Sequence, residues 1–329
     1  MSTPICRRNH LKLLLASAAA AAILPWPALA QGYPTKPVTI VVPFPPGGAT
    51  DVIARIVAEH MTNVTKQPFV VTNVAGASGS IGHEQVARAA PDGYTLIVGT
   101  ASTMPGNAAY NKLKWDPIAD FTPIALLSTE SMSVIVHPSV PATNVKELIA
   151  LAKAQPGKLN MASFGNGSIS HLAGELFKSM AGVDMLHVPF QGSGPALNAM
   201  VGGHVQVMFH TLSVSLPQVQ ADKLRMLAIT DTTRKAQLPD MPTVAESGVP
   251  GYSAITWLGL FGPAGTPKEV VALLSQESQA MLAKPEIRER LLKMASEPAS
   301  GTSTELAAAL KRDLDKWRKT IEVAGIKRE

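Results

Sequence analysis

Three times in this chain a short apolar run gives way to a glycine loop with serine or proline and then to a helical pattern, and few folds accommodate that recurrence. The first unit reads Thr39-Ile-Val-Val-Pro-Phe-Pro-Pro-Gly-Gly-Ala-Thr-Asp-Val-Ile-Ala-Arg55, with a strand over 38–42 and a loop over 45–48. Thr50 or Asp51 reads as the N-cap, and Val52, Ile53, Ile56, Val57 and Met61 fall on one helical face. The second unit runs from a strand over 159–164 through Gly165-Asn166-Gly167-Ser168 into a helix carrying Leu172, Leu176, Phe177 and Met180, with Gly182 as its stop. The third runs from a strand over 186–190 through Gln191-Gly192-Ser193-Gly194, with Pro195 at the first helical position, and Gly202-Gly203 ends it before a strand over 205–209. Alternation of this kind predicts parallel βαβ units and an α/β fold. A helix start after a strand aims unpaired N–H groups and the positive end of the helix dipole at the sheet's carboxyl edge, so a carboxylate or phosphate is the expected guest.

The remaining segments extend the pattern. A strand over 70–73 leads through Gly76-Ala-Ser-Gly-Ser-Ile-Gly82 into a helix through Val86 and Ala90, and Pro91-Asp92-Gly93 turns the chain into a strand over 95–99. Thr100 and Ser102 follow, two hydroxyls where a second ligand-facing loop is expected. Apolar stretches over 126–136 and 255–261 flank the middle third, as two crossings between lobes require. The chain ends in helices over 267–283 and 286–294 and in one opened by Thr302 with Glu305 three residues on, a capping box, and this last helix is expected to pack back on the first lobe.

Arg7, Arg8 and Lys12, an apolar stretch over 13–24 and Ala28-Leu29-Ala30 match a secretory signal peptide over 1–30, so the mature chain is expected to start at Gln31 and to be periplasmic. Arg7-Arg8-Asn9-His10-Leu11-Lys12 also resembles a twin-arginine signal, which leaves the export route open. The only cysteine, Cys6, precedes the cleavage site, so thiol and disulfide chemistry are excluded in the mature protein. Without the signal's three basic residues the formal charge of +5 falls to about +2, which does not indicate nucleic acid. The remaining chain of about 300 residues suffices for two α/β domains, and no later apolar run reaches membrane-spanning length.

The loop chemistry is neutral. None of the three loops contains Arg or Lys, so anion binding rests on oriented N–H groups worth about 0.3–1 kcal/mol each at exposed helix ends. Asp51 reads as a plain cap, or, if it faces the cleft, as a group that repels a second carboxylate and favours an ammonium or hydroxyl on the ligand. His171, His187, His204 and His210 show no ligand-pair spacing, so structural or surface roles are expected and no metal or other cofactor is. Ser168 and His171 lack a nucleophile elbow, and no Gly-Lys-Ser/Thr follows the glycine loops, so an enzyme is not expected.

Taken in order, Tyr33-Pro-x-Lys-Pro-Val-Thr-Ile-Val-Val-Pro-Phe-x-Pro-Gly-Gly, the Gly76–Ile81 segment leading to Ala89-Ala-Pro-Asp-Gly-Tyr-Thr95, Phe164-Gly-x-Gly-Ser168, His187-Val-Pro-Phe-x-Gly192 and Gly262-Pro-Ala-Gly-Thr-Pro267 resemble the Bug-type (TctC-like) extracytoplasmic solute receptors of tripartite tricarboxylate transporters. The resemblance covers nearly the whole mature chain. It implies a periplasmic binding protein-like (type II) fold, with 31–130 plus 251–329 as a discontinuous first domain, 131–250 as the second, and two crossing segments beside a ligand cleft. It implies capture of a small carboxylate by backbone N–H groups and hydroxyls, as a monomer, and delivery to integral membrane transporter subunits, or alternatively presentation to a sensor kinase ectodomain. The implied ligand residues are Phe44, Pro46, Gly47, Gly48, Ala49, Thr50 and Asp51 in the first loop, with Thr100 and Ser102 beside it. Ser163, Gly165, Asn166 and Ser168 follow in the second loop, Phe190, Gly192, Ser193, Gly194 and Pro195 in the third. His210 stands where many members carry an acidic residue and points to a more anionic ligand.

Overall fold

The computed structural model describes residues 32–299 and 301–327 and separates a short segment, residues 1–35, from a body, residues 36–329. Every described strand and helix belongs to the body. The signal peptide over 1–30, with Cys6 and the cleavage site, lies outside the described residues. Among those described, no helix is long and apolar enough to cross a membrane.

Two sheets organise the body. The first is six-stranded, in the order β11-β4-β10-β3-β1-β2. Its parallel half is β1 (Val38–Val42), β2 (Phe69–Asn73) and β3 (Thr95–Thr100), with Ile40 opposite Val71 on one side and Leu96 on the other. Helix α1 (Ala49–Thr65) joins β1 to β2, and α2 (Ser80–Ala87) lies between β2 and β3. β4 (Phe121–Glu130), β10 (Thr256–Pro263) and β11 (Ser296–Pro298) complete the sheet antiparallel to their neighbours. The alternation predicted parallel pairing, and the strands that depart from it include those by which the chain leaves the lobe and returns.

The second sheet is five-stranded, in the order β7-β6-β8-β5-β9. β6 (Asn160–Ser163) pairs in parallel with β7 (Leu186–Pro189) and β8 (Val207–Thr211). β5 (Met132–Val136) runs antiparallel between β8 and β9 (Arg225–Ile229). A helix follows each of these strands except β9 in chain order: α4 (Val145–Ala154), α5 (Ile169–Ala181), α6 (Ser193–Val201) and α7 (Leu212–Gln220). A short α3 (Asn107–Tyr110) precedes β4. Only Ser131 separates β4 from β5, so the outward crossing is nearly continuous strand. Thr230, just past β9, ties the return path to it: the Thr230 amide donates to the Met132 carbonyl at 2.9 Å, and the Ala254 amide donates to the Thr230 carbonyl at 3.0 Å.

Each sheet buries its own core. On one face of the first sheet, Val41, Ile97, Phe121, Trp257 and Phe261 pack with Val86 of α2 and with Leu306, Ala309 and Leu310 of the last helix, α10 (Ser303–Val323). In the second lobe Val134, Phe209, Phe177 and Tyr252 form a core joined by Leu314, Trp317 and Ile321 of the same α10. The last helix therefore does not pack on the first lobe alone. Its first half belongs to that core, and its second half, with Tyr110 of α3, belongs to the other. α8 (Lys268–Ala283) and α9 (Pro285–Lys293) precede β11. Thr302 caps α10 by accepting from the Glu305 amide at 3.3 Å.

Candidate ligand cleft

Loops from both lobes enclose a cavity of about 460 Å³, lined by Phe44, Pro45, Ser78, Ser102, Thr103 and Asn107 from the first lobe and by Phe164, Asn166, Gly167, Ser168, Gln191, Gly192 and Ser193 from the second. No charged side chain lines it. Its size lies in the range of small-molecule sites.

In the second lobe two helix starts open on the cavity. Ser168 caps α5, accepting from the His171 amide at 3.3 Å while its hydroxyl donates to the Gly165 carbonyl at 2.7 Å. α6 is capped by Gly192, so the Ser193 and Gly194 amides have no acceptor within the helix. Pro195 is thus the third helical residue rather than the first, a position that still needs no N–H. Gly167 must be glycine: its φ is +70°, and a Cβ there would lie 2.8 Å from the Tyr110 side chain. Behind these loops His171 and His187 stack, centroids 3.9 Å apart. His171 Nδ1 accepts from the Gly167 amide at 3.1 Å, and His187 Nε2 lies 2.6 Å from Ser163 Oγ. Burial drives His171 down to about 3, with the neighbouring ring opposing a second charge, and His187 down to about 4. The two neutral rings support the loop, and among the described residues no group of three or more His, Cys, Asp or Glu could hold a metal ion.

In the first lobe a π-helical turn, Ser102–Gly106, follows β3 and presents Ser102 and Thr103. The Ile169 amide at the start of α5 donates to Ser102 Oγ at 3.4 Å, so the lobes meet here. Opposite Thr103 lies the turn Ala77–Gly79, in which Ala77 and Ser78 hold φ of +46° and +54°. Left-handed non-glycine residues of this kind persist where surrounding structure enforces them. A Cβ on Gly79 would stand 2.9 Å from Thr103 Cγ2, which leaves no room for another residue there.

Asp51 does not face the cavity. The N-cap of α1 is Gly48, and Asp51 is its third residue, 3 % exposed. Its carboxylate accepts from Arg55 Nε and Nη2 at 2.9 and 3.0 Å, from the Gly47 amide at 3.0 Å and from Asn73 Nδ2 at 3.0 Å. The hydrogen bonds from Arg55 hold its pKa near 2, and the pair is internally neutralised. This corrects the N-cap expectation for Asp51: Gly48 holds that position, and the carboxylate turns to Arg55, Gly47 and Asn73. Asp51→Asn is expected to cost about 1–2 kcal/mol in chemical denaturation at pH 7, below the full linkage value because Arg55 is half exposed. The depressed pKa makes that stabilisation present above about pH 4 and lost as pH falls through about 2. A change below about 0.3 kcal/mol would show that the Asp51–Arg55 pair adds nothing.

Of the residues expected from sequence, Phe44, Ser102, Asn166, Ser168, Gly192 and Ser193 line the cavity. Pro46, Gly47, Gly48, Ala49, Thr50, Gly165, Phe190, Gly194 and Pro195 belong to the loops but do not line it. Thr100, Ser163 and His210 are buried behind them. His210 is wholly buried, and desolvation lowers it to about 4, so the ring is uncharged at neutral pH. Within the loops it named, sequence reasoning passed over Pro45, Phe164, Gly167 and Gln191, and outside them it missed Ser78, Thr103 and Asn107. Ser78 sat in a glycine-rich segment already noted, and Thr103 follows the two hydroxyls after β3; Asn107, which reaches the Ser78 carbonyl at 3.4 Å, gave no signal.

Comparison with known proteins places this architecture. A chain from Pseudomonas sp. (strain P51), described as the UPF0065 protein in the tcbD-tcbE intergenic region, is 37% identical over 292 residues, covering 88% of this chain and 87% of that one. The structure of Rhodopseudomonas palustris Rpa4515 with adipate superposes with a TM-score of 0.80 at 36% identity, covering 90% of this chain and 99% of the other. MatC (Rpa3494) from Rhodopseudomonas palustris with bound malate gives 0.77 at 34% identity, covering 88% and 100%. With the model for the tripartite tricarboxylate transporter family receptor matching residues 53–326, the chain belongs to that family of extracytoplasmic solute-binding receptors, which are binding proteins and not enzymes.

Proposed function

We propose that the protein captures a small carboxylate between its two lobes and delivers it to the membrane subunits of a tripartite tricarboxylate-type transporter. The observation that carries this is the cavity itself: both lobes line it with hydroxyls and amides, the second lobe adds two helix starts, and no charged side chain competes for an anion. Asn166, Gln191, Gly192 and Ser193 hold the ligand from one side and Phe44, Ser102, Thr103 and Asn107 from the other. In this reading the first lobe is 31–130 plus 251–329 and the second is 131–250, with α10 bridging them. Adipate and malate, bound by two relatives, are both dicarboxylates and support a ligand of that class.

The test is a thermal-shift panel of mono-, di- and tricarboxylates, amino acids and aromatic acids on protein refolded free of captured ligand. A ligand at a hundred times its Kd is expected to add about 2.7 kcal/mol of stability. Selective stabilisation by one carboxylate class supports the receptor reading. No shift with any carboxylate refutes it.

A further inference from the structure

Two hydroxyls that line the cleft have their protons drawn into the protein by buried histidines. His210, in β8, is wholly buried, and its Nδ1 lies 3.0 Å from the Thr211 carbonyl oxygen. That oxygen only accepts, so Nδ1 carries the proton. Burial keeps the ring neutral, which leaves Nε2 a bare acceptor, 3.0 Å from Ser193 Oγ. The Ser193 hydroxyl therefore donates to His210, and its remaining lone pairs are available to the cavity.

The other lobe repeats the device. His83 is wholly buried, stacked on Trp115 with centroids 4.9 Å apart, and its Nδ1 lies 2.8 Å from the Gly79 carbonyl. Its bare Nε2 is 3.4 Å from Thr103 Oγ1, which also accepts from the Thr100 amide at 3.1 Å. Thr100 Oγ1 lies 3.2 Å from the same hydroxyl and either oxygen can donate, so a Thr103 lone pair is free for the cavity only where Thr103 is the donor. Ser168 spends its proton on the Gly165 carbonyl. A carboxylate oxygen placed against these hydroxyls would meet lone pairs, so anion recognition falls to backbone and amide N–H groups.

Resting on the receptor reading, we propose that the cleft selects a carboxylate that also carries a hydrogen-bond donor, a hydroxyl or an ammonium group, because Ser193 faces the ligand as an acceptor, with Thr103 opposite it. His210 and His83 are positioning residues: they touch no ligand and set the direction of the hydroxyls that do. A ligand without the donor leaves a desolvated acceptor unpaired, which is how a polar site rejects a smaller analogue.

Titration calorimetry at pH 7 with matched pairs tests this: succinate against malate and aspartate, glutarate against 2-hydroxyglutarate, propionate against lactate. The wild-type protein is expected to bind the donor-bearing member of at least one pair about tenfold or more tightly. Ser193→Ala is expected to shrink that ratio, and His210→Phe, which frees the Ser193 proton to face the cavity, to shrink or reverse it. A change in the ratio, as distinct from a uniform loss of affinity, is what a merely structural role would not produce. If His210→Phe does not fold, long-range proton–nitrogen NMR on the wild-type protein reads the tautomer directly, with Nδ1 protonated and Nε2 bare expected at His83 and His210. Protonated Nε2 at His210, or a plain acid binding as tightly as its donor-bearing partner in every pair that binds, overturns the proposal and leaves the receptor reading standing. Failure of every acid to bind overturns both.

Discussion

Lowering the pH from 6.5 to 4.5 is expected to destabilise the protein by up to about 8 kcal/mol. Burial holds His83, His187 and His210 near 4 and His171 near 3, whereas in the unfolded chain each titrates near 6.5. Between those values the unfolded state binds protons that the folded state refuses, so stability falls as pH falls. Glu130 acts in the opposite sense. Buried at the end of β4, with Oε1 unpartnered, it is raised to about 7, so from pH 4.5 to 7 the folded state holds a proton that the unfolded state has lost. Four protons against one leaves about three, a slope of at most about 4 kcal/mol per pH unit. Over the two pH units this removes at most about 8 kcal/mol, so against a domain stability of about 5–15 kcal/mol the acid midpoint falls inside the window only toward the lower end of that range. Far-UV circular dichroism across pH 3.5–7.5 checks it. Full native stability at pH 4 would mean that the buried rings accept protons in place, and the neutral-histidine account of both lobes would fall with it.

Trp317→Ala carries the second large effect. The side chain is fully buried, it packs in the second lobe's core beside Leu314 and Ile321, and its ring lies 4.1 Å from the Lys316 amine. Its indole nitrogen has no hydrogen-bond partner in the protein, so truncation forfeits packing rather than polar pairing. Removal of a buried tryptophan costs about 3–5 kcal/mol, equivalent to about 5–8 °C in Tm for a chain of this size. Trp317→Phe refills most of the space and is expected to lose less than half as much. Calorimetry of both variants decides: a loss below about 1 kcal/mol for Trp317→Ala would show that the second half of α10 is not integral to that core.

What the sequence made legible was short-range. A β-branched run against a glycine loop located β1, the Gly165–Ser168 loop before an apolar helix pattern located the start of α5, and Thr302 with Glu305 located the start of α10. Each depends on residues within one turn of one another, so each could be read from spacing. What was not legible depends on partners far apart in the chain. The antiparallel insertion of β10 between β3 and β4 joins residues over a hundred positions distant, and nothing local in the 256–263 segment encodes its direction. Asp51 looked like a cap because Asp at a helix start usually is one, but Arg55 and Asn73 together claim its carboxylate. Thr103 and Asn107 enter the cleft through a π-helical turn with no marked sequence signature. The histidine spacings excluded a helical ligand pair, yet could not show that His171 and His187, sixteen residues apart, would stack.

The double allegiance of α10 has a mechanical consequence. One continuous helix of 21 residues, about 30 Å long, is rooted in one core through Leu306 and Leu310 and in the other through Leu314 and Trp317. Interiors this closely packed do not slip by fractions of a side chain, so neither lobe can be translated past the other without pulling one set of anchors out. The motions left are small twists about the helix and slight flexing along it. Beside the β4–β5 crossing and the return path through Thr230, the helix acts as an axle, which restricts the trajectories by which a mouth between the two lobes could open or shut.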